Sequence, residues 1–197
     1  MERINVKPKL SVRQITMIGM LSAISIFLGV TGLGFIPIPP VKATIMHIPV
    51  IIGAIVEGPI VGAFVGLVFG LFSMYQELTT MLPTGFMFLN PIIAIVPRIL
   101  IGISAYYIYV FFKNKFNKPG ISIGIASLCA TLVNTIGVLG FTYIIYAERF
   151  ANVIGVDPST IGYVILFTIG IPNGIPEAIV SMLLCIPIIL TVLKIKK

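Results

Sequence analysis

Apolar positions run along this chain in blocks long enough to cross a lipid bilayer, broken by short polar or proline-rich stretches. Residues 15–33 form the first block. No charge lies between Arg13 and Lys42, and the length suits a helix through a hydrocarbon core of about 30 Å. Residues 44–56 are apolar but short, about 20 Å if helical. Glu57-Gly58-Pro59 then turns tightly into residues 60–74, and the pair reads as a helical hairpin that is tilted or not fully spanning. Residues 86–112 and 121–147 are the fourth and fifth blocks. The polar stretch ERFANVIGVDPST follows, then an apolar piece at 161–171, either a loop helix or an extension of the last block, 172–193. The pattern predicts an all-α integral membrane protein with six transmembrane helices, one membrane domain over residues 1–197.

Charge decides between six spans and seven. Arg3, Lys7, Lys9 and Arg13 precede the first span; Lys113, Lys115 and Lys118 join the fourth to the fifth; Lys194, Lys196 and Lys197 follow the last. Six spans put all of these on the cytoplasmic side and leave Lys42 and Arg149 in the outer loops, the asymmetry of the positive-inside rule. Both termini are therefore expected in the cytoplasm. The outer loops, 31–43, 75–85 and the long one after residue 147, are more elaborate than the inner turns, which suggests that something is met on the outer side.

Composition changes little in this picture. The chain is 58% hydrophobic and 10% charged, with a mean hydropathy of +1.13. Soluble domains carry about 25% charged residues, so a polar surface cannot be made from this chain. A net charge of +7 raises the possibility of nucleic acid. The charges follow membrane topology instead, no stacking pattern accompanies them, and no nucleic-acid partner is expected. Cys129 and Cys185 sit inside apolar runs and suggest neither disulfide nor metal. The basic start and first apolar block resemble a secretory leader, but the block is too long and leads into GFIPIPP; it reads as a retained span.

Small residues mark close helix approaches. GPIVGAFVGLVFG places Gly58, Gly62, Gly66 and Gly70 on one face of the third span, best explained by tight internal packing. Gly19 and Ala23, with Ser22 beside them, make a weaker stripe on the first span. It could face inward or a partner, and sequence physics favours inward. His47, the one histidine, is expected to make a hydrogen bond at the membrane interface.

Polar residues inside the spans carry the chemistry. Arg98 lies in NPIIAIVPRILIG, otherwise uncharged, and such residues in membranes usually have a task. Asn134 lies at similar depth on the fifth span; Asn173 and Glu177 open the sixth, with Asn90 and Thr135 nearby. Pro97, Pro172 and Pro176 flank them and can leave carbonyls free. These side chains should converge below the outer mouth as a solute pocket. The alternative is an Arg98–Glu177 ion pair that merely ties two helices. Catalysis has little support: no second histidine, serine elbow, paired aspartates, HExxH motif or ATP-binding lysine loop is present, and no cofactor or metal is expected. Inverted repeats are also missing, which leaves a binding subunit or a small uncoupled carrier. An intramembrane enzyme on a lipid or prenyl substrate, with Glu177 as base, would lack its second titrating group.

In order and position, HIPVIIGAIVEGPIVGAFVGLVFG, VPRILIG, LVNTIGVLG and NGIPEAIVSMLLCIPII resemble the substrate-binding S components of energy-coupling factor (ECF) vitamin transporters. The resemblance covers residues 15–193 and is closest to the pantothenate-type members; riboflavin and thiamine-precursor types are the alternatives. It implies six helices, a vitamin bound near the outer surface and capped by outer loops, and partnership with a transmembrane T component and two ATPases. It also implies that the S component topples in the bilayer to carry its pocket inward. The family's small-residue motif on the first helix, which contacts the T component, maps onto Gly19 and Ala23, with glycine in place of a usual alanine. For a pantothenate ligand, Arg98 is expected to take the carboxylate and Asn134 and Asn173 the hydroxyl and amide groups. Glu177 would orient Arg98 or accept a ligand hydroxyl.

Overall fold

The computed structural model describes residues 10–38, 41–80 and 84–196; Arg3, Lys7, Lys9, Lys197 and the Pro39-Pro40 pair of the first outer loop lie outside them. Helix α1, Val12–Val30, opens with a capping box in which Ser11 and Gln14 each accept from the other's backbone N–H. Strands β1, Phe35–Ile38, and β2, Val41–Thr44, form an antiparallel hairpin with Phe35 opposite Thr44. Helices α2, Ile48–Glu57, and α3, Pro59–Thr80, follow, then a 3-10 turn at Gly85–Leu89. Helix α4 covers Pro91–Phe116 and α5 covers Pro119–Ile154. Helix α6, Ile161–Ile195, is continuous, with a π-helical stretch at Val164–Gly170. Proline begins α3, α4 and α5, where its missing N–H costs no helical hydrogen bond.

Among the described residues five helices are long and apolar enough to cross a membrane, and α2 is the shorter sixth. Residues Ile48 to Val56 of α2 are all buried. A helix that is apolar on every side belongs inside, and α2 packs against each of the other five helices. At about 15 Å it does not span by itself.

The glycine stripe of α3 explains how closely α3 and α4 approach. A Cβ on Gly66 would collide with the Arg98 carbonyl oxygen; one on Gly70 would lie 2.7 Å from the Ala94 oxygen; one on Gly62 would lie 2.9 Å from Gly102 Cα. Internal packing is therefore the role of this stripe. The stripe of α1 behaves differently: Gly19 and Ala23 are exposed, and nothing lies within 4 Å of a Cβ on Gly19. Buried Ser22, Ser25 and Gly29 make the inward face instead, so the inward reading of Gly19 and Ala23 is corrected.

Several boundaries also differ from the sequence reading. The second span starts at Ile48 because VKAT pairs as a strand. The third continues to Thr80, since YQELTT contains no glycine or proline to stop it. The fifth runs on to Ile154 across a kink at Tyr146, whose φ of −132° is not helical. Its polar extension stays ordered because Ala147, Phe150, Ala151 and Ile154 form one apolar stripe against Ile161 and Ile165. Residues 161–171 belong to the sixth helix rather than a loop.

At one end of the bundle, Glu57 joins three elements. Its Oε1 lies 2.9 Å from Arg13 Nη2 and 3.3 Å from Lys196 Nζ, and Lys196 also donates to the Val56 carbonyl at 2.8 Å. The start of α1, the end of α2 and the end of α6 thus share one face.

Candidate solute-binding site

Arg98 lies seven residues into α4, about 10 Å from its start, and is 6% exposed. A guanidinium at that depth needs partners. Pro97 supplies one indirectly. Having no N–H, it leaves the carbonyl of Ile93, four residues earlier, without its helical donor; Arg98 Nη1 donates to that oxygen at 2.8 Å. Phe69 of α3 and Phe88 of the 3-10 turn place their ring centroids 5.6 and 5.0 Å from the guanidinium carbon, within cation–π range. Arg98 Nε is buried and meets no acceptor among the described residues.

The ion pair between Arg98 and Glu177 is not formed. Glu177, 8% exposed on α6, accepts at Oε1 from the Thr44 backbone N–H at 2.8 Å and from the Thr44 hydroxyl at 3.0 Å. The helix tie considered from the sequence is thus corrected: the carboxylate fastens α6 to the β hairpin, not to α4. Arg98 remains in electrostatic range of both Glu177 and His47.

His47 sits at the entry to α2, is 1% exposed and makes a hydrogen bond, as expected of it. Its Nε2 is 3.0 Å from Thr131 Oγ1. With the Thr131 hydroxyl proton on the Ser127 carbonyl, 2.9 Å away, Nε2 is the donor to Thr131. In the neutral ring Nδ1 is then an acceptor, and it has no partner.

Asn134 belongs to the same layer. Gly137 packs so closely on Pro97 that a Cβ there would lie 3.0 Å from the proline Cβ; Asn134 is about one turn earlier on α5. Its Oδ1 is buried without a partner. Across the α5–α6 contact, a Cβ on Gly174 would lie 3.1 Å from Thr135 Cγ2, which brings the Glu177 turn to this level.

The remaining expected residues are engaged elsewhere. Thr135 Oγ1 donates to the Thr131 carbonyl at 3.3 Å, and Asn173 Nδ2 to the Ile169 carbonyl at 2.7 Å. Asn90 caps α4 by accepting from Ile92 N at 3.0 Å and donates to the Tyr146 hydroxyl at 3.3 Å. Among the described residues no three His, Cys, Asp or Glu side chains gather as metal ligands.

The layer therefore holds three buried polar atoms, Arg98 Nε, His47 Nδ1 and Asn134 Oδ1, that meet no partner among the described residues. Buried orphans are rare, and their grouping suits a polar anion with its own hydroxyl or amide donors. Sequence reasoning missed Thr44, Phe69, Phe88 and the burial of His47. The aromatic pair carried no signal in an apolar chain, whereas Thr44 stood out as a polar position between short apolar runs.

Known proteins resemble this chain over most of its length. The family described as ECF transporter, substrate-specific component, matches residues 13–189. The pantothenic acid transporter PanT of Lactococcus lactis subsp. cremoris (strain MG1363) is 31% identical over 167 residues, covering 76% of this chain and 77% of that one. The pantothenate transporter PanT of Leuconostoc mesenteroides subsp. mesenteroides is 34% identical over 131 residues, covering 63% and 64%.

Proposed function

Because the chain belongs to the substrate-specific components of ECF transporters, multi-pass proteins of the cell membrane, we propose that it captures pantothenate for an ATP-driven importer. The relatives named for pantothenate support the ligand. The observation that carries the site is Arg98: a buried guanidinium, steadied by two rings and a carbonyl, with an unmet Nε and no carboxylate partner among the described residues. Pantothenate carries a carboxylate that suits arginine's planar fork. Its hydroxyl and amide donors match Asn134 Oδ1 and His47 Nδ1. Glu177 holds the hairpin over the site through Thr44 and offers its second oxygen to a ligand hydroxyl. Asn173, Thr135 and Asn90 shape the walls and rim. Titration calorimetry with pantothenate and its neutral alcohol analogue, pantothenol, tests the reading. The acid should bind more tightly; equal affinities, or turnover of a lipid substrate by the isolated protein, would exclude it.

The partners in this reading are a transmembrane T component and two ATPases, with the T component seated on the outward face of α1. Exposure of Gly19 and Ala23 supports this placement. Gly19→Leu or Ala23→Leu should abolish uptake by the assembled transporter and leave pantothenate binding to the isolated subunit intact, because bulk there blocks a second helix. Loss of binding in the isolated variants would return the stripe to an internal role.

Orientation follows from the lysines. In a variant lacking Cys129 and Cys185, single cysteines beside Lys115 and at the C-terminus should react only with reagent inside the cell. One beside Asp157 should react only from outside. External labelling at the C-terminus would reverse the assignment.

A further inference from the structure

On the face that carries Glu57, the last turns of α4 and α6 and the start of α5 enclose a cleft of about 470 Å³. Tyr109, 5% exposed, and the leucines Leu190 and Leu193 give it an apolar wall; Lys113, Lys194 and Lys196 line its edge. Among the described residues no acidic one lines it. Lys196 is committed to Glu57 and the Val56 carbonyl, whereas Lys113 and Lys194 meet no carboxylate among the described residues. Lys113 Nζ lies 5.5 Å from the Tyr109 ring centroid, so its charge is drawn toward the cleft.

Lysines at helix C-termini are favoured by the helix dipole alone. That accounts for cations here but not for the apolar recess between them. The recess lies at the lysine-bearing ends of the apolar helices, and lysine ammoniums at such ends reach headgroups. Its occupant must therefore be anionic at one end, apolar at the other, and able to arrive along the bilayer. Basic pockets between helices at this depth select anionic headgroups.

We propose that this cleft binds one anionic phospholipid, with Lys113 and Lys194 on its phosphate and the first acyl carbons against Leu190 and Leu193. The site is remote from Arg98 and is independent of the pantothenate reading. Native mass spectrometry of the full chain, released from neutral detergent with phosphatidylglycerol or phosphatidylcholine, tests it. Phosphatidylglycerol should form a one-to-one adduct, preferred by roughly tenfold or more. Lys113→Gln with Lys194→Gln should lose that preference; Lys115→Gln with Lys118→Gln, the same change of charge outside the cleft, should keep it. Leu193→Trp fills the recess without altering charge and should also weaken the adduct, which keeps the test decisive if the double lysine variant does not fold. Equal losses from both lysine pairs would mean diffuse surface charge and overturn the proposal. Unchanged binding in Leu193→Trp, or displacement of the lipid by millimolar inorganic phosphate, would overturn it too.

Discussion

Arg98→Ala should weaken pantothenate binding by roughly 30-fold or more, since removing one partner of a buried charge pair costs about 2–5 kcal/mol. The preference for pantothenate over pantothenol should vanish with it. Arg98→Lys should recover only part of the loss. An ammonium lacks the planar fork, and a shorter reach to the Ile93 carbonyl would draw it away from the ligand. Calorimetry on the three proteins with both ligands separates this from simple unfolding, because pantothenol binding should survive in a folded Arg98→Ala protein. If Arg98→Ala binds the acid as tightly as the wild type, the arginine serves only to cap the Ile93 carbonyl opened by Pro97.

The second large effect is expected at Gly66. A Cβ there meets the carbonyl of Arg98 itself, and backbone cannot swing aside as a side chain can. Gly66→Ala should destabilise by about 1–3 kcal/mol through overpacking and weaken ligand binding as well, because α4 must shift at Arg98. Gly66→Leu should not yield a monodisperse protein. Gly140→Ala is the control: nothing lies within 4 Å of a Cβ at that position of α5, and alanine is the better helix former by about 1 kcal/mol. Thermal unfolding in detergent should therefore separate the two alanine variants in opposite directions. Similar melting for both would mean that the α3–α4 approach is looser than the geometry requires.

The two effects share a cause. The face of α3 that bears Gly66 and Gly70 presses α4 inward at Ala94 and Arg98, and Phe69, between those glycines, reaches the guanidinium. Glycine at every fourth position thus sets both the helix spacing and the depth of the charge. The hairpin is tied in at the same level, because Glu177 spends one oxygen on Thr44 and leaves Arg98 to other partners.

What the chain determined without its fold was largely hydrophobic: where the membrane helices lie, that α2 is too short to span, and that Arg98, Asn134 and Glu177 are polar positions an apolar core must account for. These follow from solvation, which acts residue by residue and is legible in one dimension. Helix ends were less legible. The extension of α5 past Tyr146 depends on an apolar stripe covered by Ile161 and Ile165, and its polar residues disguise it. The pairing of charges was decided only in three dimensions. Arg98 and Glu177 attract at any distance, but Thr44 donates twice to the carboxylate while the Pro97 gap offers the guanidinium a carbonyl within its own helix. Which partner a buried charge takes depends on hydrogen-bond geometry over a few ångströms, and only the packed helices supply that.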